Sequence, residues 1–546
     1  MAASKLAGER GGSKQPHSKA PHPKFVLFRA VVCFMLRAMD TPKSDHFRIP
    51  LIAALAAFGL HLVGNPHYGF FRDELYLIIC GRRPGWGYVD QPPVVPLLAA
   101  GTQLFGHSLV LLRAVPAFFA AAAVYVTCLL AEELGGGAFA QILGALVVFF
   151  APVLMNFGMK VSPDVVGLWL WPLTALYVLR LAKGADPRAW LVVGAAVGIA
   201  IESKYTVVFF AAALLLALLL TPERRILFSR WFLTGCAVAG VIALPNFLWQ
   251  VYKGFPTLEF LRNAEHGKNL IVGPGQYLFQ QLLITNAFLS IVWVAGLVWL
   301  LWNAHLRFLG YTYIILIAIM IALHGKHYYP ANVYPYLMAA GGVAIEAWTN
   351  RRKALRPIVA TAAIVLGLVF VPLAMPILPE AQVASYSQWL LRIMHVSRQA
   401  VATERNRPSE IPSDWADMHG WPELAATVAK VYQSLPPDDR AQAAIVAGNY
   451  GEAAAIDFFG RPYGLPPALS GHNQYYLWGT RGYTGNVVID VAGDCGARDH
   501  LFESSERAAT FTSPWIQPYE DGIPIMVCRG IQRPLAELWP SIKHYR

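Results

Sequence analysis

Long apolar runs separated by short polar connections dominate the chain from residue 49 to about residue 378. A helix crossing a hydrocarbon core takes about 20 residues. Runs of that order recur at 49–65, 109–131, 138–157, 165–182, 231–248, 283–302, 308–323, 331–348 and 357–378. A shorter pair, 189–201 and 205–220, is interrupted by the charged stretch "ESKYT" (202–206) and brings the expected spans to about eleven. Past residue 378 the runs stop. There 421–435 has helical spacing, 441–449 reads as a buried strand, 452–460 as a helix, and 485–493 and 522–530 as further strands. The pattern predicts a polytopic α-helical membrane part over 49–378 and an exported α/β domain over 379–546.

Composition strengthens the first half of that reading. Only 14% of the 546 residues are charged and 56% are hydrophobic, against about 25% charge in soluble domains, and the mean hydropathy is +0.43. The formal net charge is +11, but its lysines and arginines are scattered between apolar runs and never gathered on one compact domain, so no nucleic-acid partner is expected. The basic residues report orientation. With a cytoplasmic N-terminus, alternating spans place the basic connections 181–188, 222–230, 305–307 and 350–356 on the cytoplasmic side. The same alternation puts 160–164, 202–206, 250–280, 324–336 and the C-terminal tail outside.

The first 48 residues read as a basic tail, disordered or lying on a surface; Met35 or Met39 is an alternative start. Their apolar run "FVLFRAVVCFMLRAM" is too short and too often broken by Arg to span, and no signal-peptide cleavage pattern follows it. Of six cysteines, Cys33, Cys80, Cys128 and Cys236 fall in or beside the expected membrane segments. Cys495 and Cys528 lie in the exported tail, where an oxidising compartment permits a disulfide; sequence leaves the pairing open.

Chemistry collects on the outer side. Arg72, Asp73 and Glu74 follow the first span, and Asp90 returns in the same loop ahead of the stiffening Pro92 and Pro93. Adjacent Asp73 and Glu74 diverge by about 100° on a helix, so one can address a substrate while the other holds the scaffold. In "KVSPD", Ser162 and Pro163 suit the start of a helix, and Asp164 is either a first-turn acid favoured by the dipole or a functional group. Lys160, Lys204, Lys326 and His327 are cations on the side where few are expected. Each can bind an anionic ligand or simply reach for lipid headgroups. Tyr328 and Tyr329 line a pocket or belong to an interfacial aromatic belt. His324 and His327 could meet a divalent metal with a carboxylate, so no cofactor is certain and a metal stays open. In the tail, the Gly448 and Gly451 stretch is a tight strand-to-helix turn or an anion site. His472, Asn473, Tyr475, Tyr476 and Trp478 are types that suit sugar stacking and hydrogen bonding, or a loop packed down on the membrane part.

Carboxylates facing cations and phenols at an outer membrane surface suit glycosyl transfer from a lipid-linked phosphate. The leaving group is a stable anion that needs cations, and the acceptor hydroxyl needs one base. Three stretches carry a resemblance: "FRDELYLIICGRRPGWGYVDQPPVVPLLA", "MKVSPDVVGLWLWPLTALYVLRL" and "KHYYPANVYPYLMAAGGVAIE". With them the chain resembles bacterial family-39-type glycosyltransferases of the GT-C fold, relatives of protein O-mannosyltransferases and aminoarabinose transferases. The resemblance implies a multi-pass enzyme of the bacterial inner membrane that uses a polyprenyl (undecaprenyl) phosphate sugar and a cell-envelope acceptor: glycolipid, polysaccharide or protein. It maps the base onto Asp73, with Glu74 its neighbour and Asp164 a second acid of the site. Arg72, Asp90, Lys160, Lys204, Lys326, His327, Tyr328 and Tyr329 are then the candidate donor contacts, and His472, Asn473, Tyr475 and Trp478 the acceptor or sugar contacts. A lipid-linked sugar flippase and a non-catalytic scaffold of the same fold are the rival readings.

Overall fold

In this computed structural model residues 48–267, 270–397, 408–496 and 500–546 are described. The expectations for the N-terminal tail, its start at Met35 or Met39, and Cys33 lie outside them.

The N-terminal two thirds is a bundle of apolar helices. At its centre runs Leu109–Glu133, started by the Ser108 side chain accepting the Leu111 N–H at 3.3 Å. It packs against Arg48–Gly64, Ala138–Phe149 and Gly167–Ala182. Arg230–Tyr252 lies at the periphery against Trp190–Ile201. There Gly194 and Gly235 let two backbones touch: a Cβ at Gly194 would lie 2.1 Å from the Gly235 carbonyl oxygen. Small residues at a crossing are how helices pack where apolar burial gives no drive.

Among the described residues two helices, Leu109–Glu133 and Arg230–Tyr252, are long and apolar enough to cross a membrane, or up to four spans if two bent pairs count as one each. Seven further apolar helices have 10–17 residues. This is the build of a membrane protein, and the expected eleven spans are not all continuous helices. The predicted span 138–157 bends by 68° ahead of Pro152, because proline cannot continue the preceding hydrogen-bond ladder. The predicted span 283–302 starts only at Ser290, after Asn286 with φ 77°. Helix 355–368 stops before the predicted end of 357–378.

The C-terminal part carries a four-stranded sheet ordered β1–β2–β4–β3: β1 Ala443–Ala447, β2 Val487–Val491, β3 Phe502–Phe511 and β4 Ile523–Ile531. β1 and β2 are parallel, joined by a crossover containing helix Tyr450–Phe459; the other pairs are antiparallel. Helix Trp421–Ser434 packs on helix 450–459 and on β3. A disulfide joins Cys495 to Cys528. Strands β1, β2 and β4 and both helices fall where the pattern places them. β3 was not anticipated, since most of its residues are exposed and polar as befits an edge strand.

Candidate active site

The first outer acid sits on a short helix, Arg72–Gly81, whose first turn holds Asp73 and Glu74. The two carboxylates part as helix geometry requires. Glu74 turns inward and is fully buried. It pairs with the equally buried Arg113 at 2.9 Å and accepts the backbone N–H groups of Phe71 at 2.9 Å and Val161 at 3.0 Å. Arg113 spends its other donors on the carbonyls of Asn65 (2.6 Å), His67 (3.2 Å) and Gly69 (2.8 Å). Glu74 therefore ties three loops together and presents nothing to a substrate. Asp73 turns outward, its side chain 34% exposed. The Tyr450 hydroxyl, from the C-terminal part, donates to its Oδ1 at 2.7 Å.

Arg72 is clamped by that same part. Its Nη1 donates to the Tyr519 hydroxyl and lies 3.6 Å from the Asp417 carboxylate, and its guanidinium lies 5.3 Å from the Tyr450 ring centroid. Gly451 makes room for it, since a Cβ there would lie 2.5 Å from Arg72 Cγ. Arg72 thus orders the interface and lies 3.7 Å from the Asp73 carboxylate. Burial pushes the Asp417 carboxyl up to about 7, against the pull of Arg72 and with the help of Asp73 and Asp414.

The segment 160–164 carries the second acid. Lys160, buried, bonds Asp414 at 2.5 Å and covers the Phe71 ring at 4.4 Å. The expected cap is absent: helix 167–182 begins beyond Val166, and the Ser162 hydroxyl has no hydrogen-bond partner. Asp164 instead pairs with Lys204 at 2.6 Å. Lys204 lies over the rings of Tyr329 (4.7 Å) and Tyr328 (5.2 Å), with Lys326 6.0 Å from Tyr328 on the same connection. Asn332 donates to the Asp164 carbonyl at 3.4 Å. Three buried acceptors there, Asp164 Oδ1, Ser162 Oγ and Asn332 Oδ1, have no partner.

The two groups are close. Val161 is bonded to Glu74, the neighbour of Asp73, and three residues of chain from Val161 to Asp164 span at most ~11 Å. A third edge comes from the 88–94 loop: Asp90 accepts the Tyr76 hydroxyl at 2.8 Å, and the Val94 N–H donates to the Glu202 carbonyl two residues before Lys204. The structure so gathers Asp164, Lys204, Lys326, Tyr328 and Tyr329 at one end of the bundle and ties that group to the helix of Asp73 through Val161 and Glu74. His327 is buried beside Tyr328, its ring 6.0 Å away.

Other expectations resolve into packing. Asn449 caps helix 450–459 and forms a reciprocal pair with Glu452, which takes the Gly448 and Asn449 N–H groups. With those donors consumed, Gly448 and Gly451 form a turn and not an anion site. His472 and Asn473 hold the chain end through the Arg546 carbonyl, at 2.9 and 3.4 Å. Tyr475 is 1% exposed and bonds Asp457, leaving no ring face for a sugar. Trp478 faces Arg83 and Arg481. His324 pairs with Glu265 at 3.2 Å. Among the described residues one group of three metal-ligand side chains lies together, Asp490, Cys495 and Cys528, and its two sulfurs are bonded to each other.

Sequence reasoning missed Arg113, Asp414, Asp417, Tyr450 and Tyr519. Arg113 had a signal, being a lone cation within an apolar span; the others are acids and phenols of an ordinary soluble segment.

Residues 90–249 match the sequence model of a family described as dolichyl-phosphate-mannose-protein mannosyltransferase. Over 203 residues, 37% of this chain, the sequence is 28% identical to lipid A galacturonosyltransferase RgtD of Rhizobium johnstonii. That match spans 42% of the relative's length. The structure is similar to ArnT from Cupriavidus metallidurans bound to undecaprenyl phosphate, with TM-score 0.56, 16% identity, and coverage of 89% of this chain and 98% of that one. The apo form of ArnT gives TM-score 0.55 at 16% identity, covering 87% and 96%. The chain has the ArnT fold, and the resemblance to GT-C glycosyltransferases of this type is borne out by the family match, the relative and the fold alike.

Proposed function

We propose that the chain is an inverting glycosyltransferase that moves a sugar from a polyprenyl phosphate to a cell-envelope acceptor at the outer face of the inner membrane. The observations that carry this reading are an outward carboxylate, Asp73, held by the Tyr450 hydroxyl, and a cation on aromatic faces, Lys204 over Tyr328 and Tyr329. Lys204 receives the donor phosphate, with Lys326 as a second cation. The unpartnered acceptors Asp164 Oδ1, Ser162 Oγ and Asn332 Oδ1 suit sugar hydroxyls, which donate hydrogen bonds. Asp73 takes the proton of the acceptor hydroxyl while its oxygen bonds the anomeric carbon from the face opposite the phosphate. The carbon–oxygen bond to phosphate breaks, and polyprenyl phosphate leaves as an anion. The similarity to a galacturonosyltransferase acting on lipid A and to a protein that binds undecaprenyl phosphate supports this substrate pair.

The test uses the purified chain in liposomes with a panel of labelled undecaprenyl-phosphate sugars and acceptor-rich membrane extract. Wild type should consume one donor, and Asp73→Asn should bind it without turnover. Translocation of the lipid-linked sugar with no transfer would favour the flippase, and undiminished transfer by Asp73→Asn would remove Asp73 as the base.

A further inference from the structure

A second polar cluster lies beside the site and takes no part in the chemistry above. Helix Arg72–Gly81 ends in Arg82 and Arg83, which meet helix 450–459 and the loops after it. Arg82 lies over the Phe458 ring at 5.1 Å with its Nη2 3.4 Å from His107, whose own ring packs on Phe458 at 4.9 Å. Arg83 covers Trp478 at 4.6 Å, and Arg481 lies 5.6 Å from the same ring. Arg461 is near enough that its charge depresses the proton affinity of both Arg82 and His107, after burial as the larger cause.

Among the described residues the Asp457 carboxylate is felt by Arg82, Arg83 and Arg481. It is already engaged by the Tyr475 hydroxyl at 3.0 Å and the Ala468 N–H at 2.7 Å, and Arg481 approaches it only to 3.9 Å. Four nitrogens, Arg82 Nη1 and Arg481 Nε, Nη1 and Nη2, are buried without a hydrogen-bond partner. Like charges packed together with donors unspent cost free energy unless an anion completes them. The anion's setting is indicated by neighbouring side chains. Leu104 and Phe105, 84% and 80% exposed, immediately precede the membrane-length helix Leu109–Glu133, and Trp86 is 66% exposed. Exposed apolar tips of this kind suit an acyl layer, which would set the arginines at headgroup height.

We infer that Arg82, Arg83, Arg461, Arg481 and His107 bind the phosphate-bearing headgroup of a membrane lipid whose acyl chains lie along Leu104 and Phe105. Guanidinium forks match phosphate oxygens in pairs. Resting on the transferase reading, the site is where a phosphorylated glycolipid acceptor is held, one helix length from Asp73.

The experiment is retention of diphosphoryl lipid A, and of the same lipid with its phosphates removed, by the full chain in detergent, with no donor present. Wild type should retain the phosphorylated lipid at least about tenfold better. Arg82→Gln combined with Arg461→Gln should abolish the preference, and Lys430→Gln, an exposed cation outside the cluster, should keep it. Inorganic phosphate alone should bind far more weakly than the lipid. Equal retention of the two lipids by wild type overturns the proposal without reference to any variant's folding, and inorganic phosphate binding as tightly as the lipid overturns the membrane source. Because the assay needs no turnover, loss of the transferase reading would show separately, as retention without transfer.

Discussion

Two neighbouring acids, Asp73 and Glu74, divide their duties by direction alone. Glu74 is buried against Arg113 with its oxygens occupied. Breaking a buried pair from one side leaves an uncompensated charge, at about 3–5 kcal/mol. Glu74→Gln should therefore lower the thermal unfolding midpoint in detergent sharply, and any loss of donor binding should track that loss of fold. Asp73→Asn, at a partly exposed position, should stay within roughly 0.5 kcal/mol of wild-type stability while losing turnover. Tyr450→Phe removes the hydrogen bond that orients Asp73. With a bond of about 1–1.5 kcal/mol at stake, turnover should fall roughly five- to tenfold with the donor KM kept. An unchanged turnover number would mean that Tyr450 serves only the interface. That Asp73 turns outward and Glu74 to the core was undecided in the sequence, because the choice depends on Arg113, nearly 40 residues away.

At the scale of elements, the site is helix 72–81 with the connections 82–93, 160–166, 202–206 and 326–333, which meet where several helices end. Lys204 is held by Asp164 at 2.6 Å. A donor phosphate must compete for it, which separates two variants by sign. Lys204→Gln should weaken binding of undecaprenyl phosphate by at least about tenfold, the loss of one charge-assisted bond. Asp164→Asn should tighten binding of bare undecaprenyl phosphate, since the cation is released, yet slow transfer because a sugar acceptor is altered. Titration of both variants with undecaprenyl phosphate checks the pair, and weakening in both would remove the competition. Much of this level was legible. Lone cations on the side where few are expected pointed to Lys160, Lys204 and Lys326, and apolar runs located the helices. The breaks were not, because apolar content reports burial in lipid and says little of where Asn286 or Pro152 interrupts a helix. The capping role assigned to Ser162 failed for a similar reason: the chain stays irregular until Gly167 so that Asp164 can reach Lys204.

The whole molecule adds a constraint that local sequence could not reveal, since its two parts are joined by charged contacts between residues hundreds of positions apart. Arg72 and Asp73 meet Asp417, Tyr450 and Tyr519, and Lys160 meets Asp414. The interface is rich in acids. Burial raises Asp417 to about 7, opposed by Arg72 and reinforced by Asp73 and Asp414, and it also raises Glu452 and Glu520, which share Asn449. For an acid raised on folding, the stabilisation is complete below its unfolded value, near 3.8 for Asp417, and is lost as the pH climbs through about 7. Docking of the segment 413–420 should accordingly loosen as the pH rises from about 4 to about 7, with Asp73 held less well at the upper end. Amide exchange of 413–420, corrected for its intrinsic pH dependence, should show protection falling across that window, and Asp417→Asn should flatten the fall. If protection is the same at both ends of the window, Asp417 is charged throughout and Arg72 alone holds the contact. If Asp417→Asn keeps the full slope, the response belongs to Glu452 and Glu520, and the pH-sensitive joint lies at the start of helix 450–459, next to Tyr450 and one hydrogen bond from Asp73.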